Sequence, residues 1–204
     1  MDRTIQTFIE ALSSGAPIPG GGGASALVGA VSTALCSMVA NLTLKQSMNS
    51  CDREVFEKIL DRTQKSSVHL LELIQKDGEM FEPLSKAYHL PMEEPNRDQI
   101  LEEALVSAAS VPMEILEAVH GVIEILEELL IKGTKLAISD VGVAASTFRS
   151  TLESGAMNVF INTKLMKNRE YASELEMKAK TLLTDGVSRC DIVYQSILKE
   201  LVTD

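Results

Sequence analysis

Phe56, Leu60, Thr63, Ser67, Leu70, Ile74, Asp77, Phe81, Leu84 and Tyr88 fall at alternating steps of three and four, the spacing of one helix face. Asp77 stands where an apolar side chain belongs. A carboxylate on a buried seam loses hydration and holds its proton more tightly, which makes a proton donor or acceptor usable near neutral pH. The same pattern also allows the seam to rotate at Gly78 or Pro83, which would leave Asp77 in water.

A second candidate is the loop Pro17-Ile18-Pro19-Gly20-Gly21-Gly22-Gly23, which leads into about twenty uncharged residues. A P-loop would need Gly-Lys-Ser/Thr at the helix entrance, and no lysine follows until Lys45. Gly21-Gly22-Gly23-Ala24-Ser25-Ala26 has the form of a dinucleotide fingerprint, but that motif follows a strand, and here a helix and a Pro-x-Pro turn precede it. What remains is a loop whose backbone allows close approach of a ligand or a neighbouring subunit, or a tight turn into a packed helix. Asn158 and Asn162, four apart, share a helix face with Thr151 and Gly155, with Asp140 further up. Amides so placed either bind a polar ligand or bridge helices. His69, His89 and His120 have no metal-like spacing, and Cys36, Cys51 and Cys190 form no CxxC pair, so the expectation is no metal site, no disulfide framework and free thiols.

The elements that must position these groups are helical. Aromatics make up 4% of the 204 residues and Trp is absent, while Ala, Leu, Glu, Lys and Met abound, as helices favour. The pattern predicts an all-α fold, a single bundle of about six helices within one domain spanning residues 1–204. These are an N-terminal helix, then about 24–47, 52–88, 97–132 closed by Gly133, 139–166 capped by Ser139, and 169–202. Pro83 and Pro112 are expected to kink the long ones. The uncharged run Ile18–Leu44 is long enough for a membrane span, but its recurring Ser, Thr and Asn among Ala and Gly suit a buried central helix or a subunit interface. A formal charge of −10 argues against a general nucleic-acid binder. The opening residues lack the order of a signal peptide, and the expected location is the cytoplasm.

Pro17-Ile18-Pro19-Gly20-Gly21-Gly22-Gly23-Ala24-Ser25-Ala26-Leu27, running on to Met38-Val39-Ala40-Asn41-Leu42-Thr43, resembles the N-terminal signature of the cyclodeaminase/cyclohydrolase family. The resemblance continues through Asp77-Gly78-Glu79-Met80-Phe81, Leu90-Pro91, Val111-Pro112, Ser139-Asp140-Val141-Gly142, Gly155 and Asn158-Val159-Phe160-Ile161-Asn162. It implies an all-helical homodimer acting on a tetrahydrofolate derivative, with no cofactor beyond that substrate and no metal. Asp77 falls on the position of the catalytic aspartate and is expected to act as general base and then acid. The resemblance places folate near Pro19, Gly20, Gly21, Gly22 and Gly23, and makes Asp140, Asn158 and Asn162 pocket candidates. The sequence departs from the family pattern at Gly23, Gln46, Ser47, Met92 and Thr134. Lost cations at the end of the second helix weaken the expected hold on the anionic glutamate tail, with Lys45 as partial replacement. Hydrolysis of 5,10-methenyltetrahydrofolate to the 10-formyl form is the leading expectation. A formiminotetrahydrofolate cyclodeaminase and a non-catalytic helical dimer are the alternatives.

Overall fold

The computed structural model describes residues 4–46 and 49–202, which form seven α-helices and one 3-10 turn, with no strand among the described residues. They are α1 (Ile5–Leu12), α2 (Gly21–Leu44), α3 (Ser50–Ala87), α4 (Arg97–His120), α5 (Glu124–Lys132), α6 (Ile138–Thr163) and α7 (Arg169–Val202), with the 3-10 turn at Lys135–Ala137. The pattern read as one helix over 97–132 is two. The chain tightens at 121–123, where Val122 and Ile123 donate to carbonyls three residues back, Val119 and His120, and α5 restarts from there.

Helix ends follow local chemistry. Thr4 caps α1 by accepting the Thr7 amide, and Asn49 caps α3 by accepting that of Asp52. Gly133 ends α5 as expected, because a Cβ there would lie 2.4 Å from the Leu129 carbonyl oxygen. Ser139 is not the cap of α6. The preceding 3-10 turn delivers the chain already coiled, Ala137 takes the cap position, and Ser139 sits exposed in the first turn.

α2 and α6 run antiparallel, joined by a ladder of short polar residues. The Ser25 and Ser154 hydroxyls are 2.8 Å apart, those of Ser32 and Thr147 are 2.7 Å apart, and the Thr134 amide donates to Thr43 Oγ1 at 2.9 Å. These hydroxyls account for part of the polar content of the uncharged run: each bonds across the seam, and those of Ser25, Ser32 and Thr43 also reach a carbonyl one turn back. Gly29 lets the helices close further, its hydrogen side lying against Thr151, Val119 and Leu70. α3 and α4 cover the inner side of α2, and Leu70, Val119, Leu116, Phe148 and Leu152 fill the main core. A second cluster around Leu84, Leu105, Ala109 and Met166 joins the ends of α3, α4 and α6 to α7.

The outer side of α2 is uncovered: Val31, Met38 and Leu42 are 47%, 39% and 37% exposed. By length and hydropathy alone, Gly21–Leu44 and Arg97–Lys132 are apolar enough to cross a membrane, and both bury much of that length against other helices.

Pro112 lies inside α4 and removes the amide that would bond the Ala108 carbonyl. Asn162 supplies the missing donor from α6, its Nδ2 lying 3.3 Å from that carbonyl oxygen and 2.8 Å from its own Asn158 carbonyl. Asn162 is buried, and both amide hydrogens have protein acceptors.

Candidate active site

The first turn of α2 has no side-chain cap of its own, because Gly20 stands in the cap position. The missing acceptor comes from α3, where the Gly23 amide donates to Asp77 Oδ2 at 2.9 Å. Asp77 therefore points inward from the seam, as its place in the apolar pattern suggests, and is half-buried. Gly22 makes this possible: a Cβ there would lie 2.0 Å from Oδ1 and 2.5 Å from Cγ. Gly78 performs the reciprocal service one residue after Asp77, since a Cβ there would lie 2.6 Å from Ile18 Cγ2. The loop is thus pressed onto α3 by Ile18, with Pro19 following a cis peptide bond.

Asn158 approaches the same turn from α6. A Cβ on Gly21 would fall 3.2 Å from its Oδ1 and 3.3 Å from its Nδ2, and Nδ2 donates to the Ser154 carbonyl at 2.8 Å. Three consecutive glycines accordingly do three jobs: Gly21 seats Asn158, Gly22 seats the Asp77 carboxylate, and Gly23 donates to it. A cavity of about 350 Å³ opens one turn away between α1, α2 and α3, lined by Phe8, Leu27, Val68, Leu71 and Ile74. It is large enough for a ring system. Ile74 also packs beneath Gly23.

Two forces act on Asp77. Loss of hydration pushes its carboxyl above the ordinary range, and the Gly23 amide, which favours the anion, pulls part of the way back. A carboxylate so balanced can take a proton from a ligand and return it. Among the described residues no group of His, Cys, Asp and Glu is arranged to hold a metal ion.

The other residues singled out in the sequence separate. Pro19, Gly20, Gly21, Gly22, Gly23, Asp77 and Asn158 come together, and Asn162 sits one turn beyond with its amide hydrogens committed to the backbone. Lys45 ends α2, and at 1.5 Å per residue it stands roughly 33 Å from Gly23. Asp140, in the first turn of α6, is about 27 Å along that helix from Asn158 by the same rise. Neither reaches Asp77. Thr134 and Gln46, both departures from the family pattern, meet at that far end, Gln46 Nε2 donating to Thr134 Oγ1 at 2.7 Å. Met92 lies exposed between α3 and α4, and Ser47 is outside the described residues. Ile18 and Ser154 were not singled out. The signal for Ile18 was Gly78, a mid-helix glycine that marks a close approach.

Residues 4–181 match the family model described as formiminotransferase-cyclodeaminase. The chain is 34% identical over 200 residues to a methenyltetrahydrofolate cyclohydrolase of Methylorubrum extorquens, covering 96% of each chain. It is 26% identical to the formimidoyltransferase-cyclodeaminase of Sus scrofa and spans 37% of that longer protein. A crystal structure of formiminotetrahydrofolate cyclodeaminase from Thermotoga maritima superposes with a TM-score of 0.84 at 28% identity, covering 97% of this chain and 98% of the other.

Proposed function

The chain belongs to the formiminotransferase-cyclodeaminase family, and from that premise we propose that it is an enzyme of folate one-carbon metabolism that hydrolyses 5,10-methenyltetrahydrofolate to 10-formyltetrahydrofolate. The observation that carries this reading is the half-buried Asp77 carboxylate held at the glycine turn, combined with likeness along nearly the whole of both chains to a cyclohydrolase.

The reaction needs one group to move a proton. Water attacks the methenyl carbon and gives a proton to Asp77, forming a tetrahedral carbon that carries the new hydroxyl between N5 and N10. Asp77 returns its proton to N5 as the bond from that carbon to N5 breaks, and the hydroxyl proton is released as the formyl carbonyl forms. A carboxyl raised by burial is matched to both steps near neutral pH. Asn158, held by Ser154, offers its amide oxygen beside the same turn and orients the bound substrate. The working unit is a homodimer.

Cyclodeamination is the second reading, favoured by the Thermotoga maritima structure. There N10 attacks the carbon of the protonated formimino group and gives its proton to Asp77, which passes it to the formimino nitrogen as the bond to that nitrogen breaks and ammonia leaves. The two are separated by supplying each substrate to the purified protein, following methenyl absorbance in one case and ammonia release in the other. Accelerated loss of absorbance without ammonia release supports the hydrolase, ammonia release the deaminase, and neither overturns both.

A further inference from the structure

Asp77 and the glycine turn are held together twice. One link is the Gly23 amide, which donates to Asp77 Oδ2 at 2.9 Å. The other runs through the loop before α2. Ile18 fills the notch at Gly78, the residue after Asp77, and Pro19 folds back so that its Cβ lies 3.8 Å from where a Cβ on Gly23 would stand. Gly78, Ile18, Pro19, Gly23 and Asp77 therefore close a ring of contacts, with α3 on one side and the start of α2 on the other.

The two links respond differently to the chemistry. A hydrogen bond to a carboxylate is assisted by its charge and weakens when the carboxylate takes up a proton. In the reaction proposed above, Asp77 takes up a proton in every turnover. An apolar contact has no such dependence, so Ile18 keeps the turn in place while Asp77 holds the proton, and the carboxyl is still aimed correctly when the proton is returned.

The fit depends on the branch of the Ile18 side chain. A Cβ on Gly78 would lie 2.6 Å from Cγ2 and 3.9 Å from Cβ and Cδ1. Cγ2 is bonded directly to Cβ in a side chain stiff about χ1, so it yields only through a rotamer change or a shift of the loop backbone. Gly78 also lies well inside the 38-residue α3, where glycine is less favourable than alanine. Helix formation does not account for it, whereas the approach of Ile18 does.

We propose that Ile18 is a positioning residue for the proton transfer: seated at Gly78, it fixes the glycine turn against α3 independently of the Asp77 hydrogen bond and keeps the Gly23 amide and the carboxyl in register through turnover. The kinetic consequence rests on the folate reading; the hold on Gly23 does not.

The pair predicts a rescue. Ile18→Ala empties the notch and Gly78→Ala pushes Ile18 out of it, but the two together fit again, because Cγ2 is gone and the new methyl meets the retained Cβ of residue 18 at 3.9 Å. With methenyltetrahydrofolate as substrate, kcat should fall about 100-fold in Gly78→Ala and about tenfold in Ile18→Ala, and return to within about threefold of wild type in the double variant. KM should stay within about threefold throughout, since the loss lies in the chemical step. Hydrogen exchange of the Gly23 amide, followed by NMR without substrate, should be faster in each single variant and slow again in the double variant. Single losses that multiply in the double variant overturn the proposal, as do losses in KM or thermal stability with kcat unchanged, or single variants whose Gly23 amide exchanges as in wild type. If Gly78→Ala does not fold, Ile18→Ala set against the double variant makes the same comparison. The expected exchange pattern in a protein that turns over no folate sustains the hold on Gly23 and overturns the catalytic reading.

Discussion

Gly22→Ala tests whether the glycine turn is built around Asp77. The new Cβ would lie 2.0 Å from Oδ1, 2.5 Å from Cγ and 2.7 Å from Oδ2, where ordinary contact needs more than 3.0 Å. Because all three atoms belong to one carboxylate, the group must swing away by about 1 Å, taking the Gly23 hydrogen bond with it. Displacements of that size cost on the order of 100-fold in rate when the displaced group transfers the proton. The overpacking itself costs roughly 1–3 kcal/mol of stability. Gly15→Ala is the control, since Gly15 lies outside the glycine turn with open space around its Cβ position and no positive φ. Steady-state kinetics on methenyltetrahydrofolate should show kcat/KM reduced about 100-fold in Gly22→Ala and within about threefold of wild type in Gly15→Ala. A folded Gly22→Ala protein with full activity would refute the reasoning, because it would mean that the placement of the carboxylate does not matter.

Asn162→Leu strands the Ala108 carbonyl that Pro112 leaves open, so it should cost about 1–3 kcal/mol by urea unfolding, and the cost should shrink by about 1 kcal/mol or more in a Pro112→Ala background, where residue 112 regains its amide. Equal costs in the two backgrounds would contradict this. Asp77→Asn keeps an acceptor for Gly23 and removes a buried charge. Since burial makes the folded chain hold the Asp77 proton more tightly than the unfolded chain, Asp77 lowers stability as pH rises from about 3.8 through its raised value. Thermal melts should therefore show Asp77→Asn above wild type at pH 7, the gap closing as pH falls below about 4; a wild-type protein more stable at pH 7 would be the opposite result. Burial pushes the Cys36 and Cys190 thiols up to about 12, so a thiol reagent should label Cys51 in the native protein and all three cysteines only after denaturation.

The sequence carried the helices because apolar spacing and composition act locally, and it carried Asp77 because a carboxylate in an apolar seam is a local anomaly. It did not carry the break at 121–123, where an uninterrupted apolar pattern continues across a tightened turn that only packing selects. Ser139 looked like a cap because a short hydroxyl before a helix often is one, and the 3-10 turn made that cap unnecessary. Asn162 looked like a ligand group for the same reason that it suits Ala108: a buried amide supplies donors to whatever lacks them. Lys45 and Asp140 could not be placed from motif order alone, since residues collinear in sequence stand at opposite ends of long antiparallel helices.

The most direct test of the central claim is the decay of methenyltetrahydrofolate absorbance at neutral pH with wild-type protein, with Asp77→Asn and with buffer. Wild-type protein should accelerate the decay and folded Asp77→Asn should fall close to the buffer rate, whereas a variant as fast as wild type would show that Asp77 caps α2 and moves no proton.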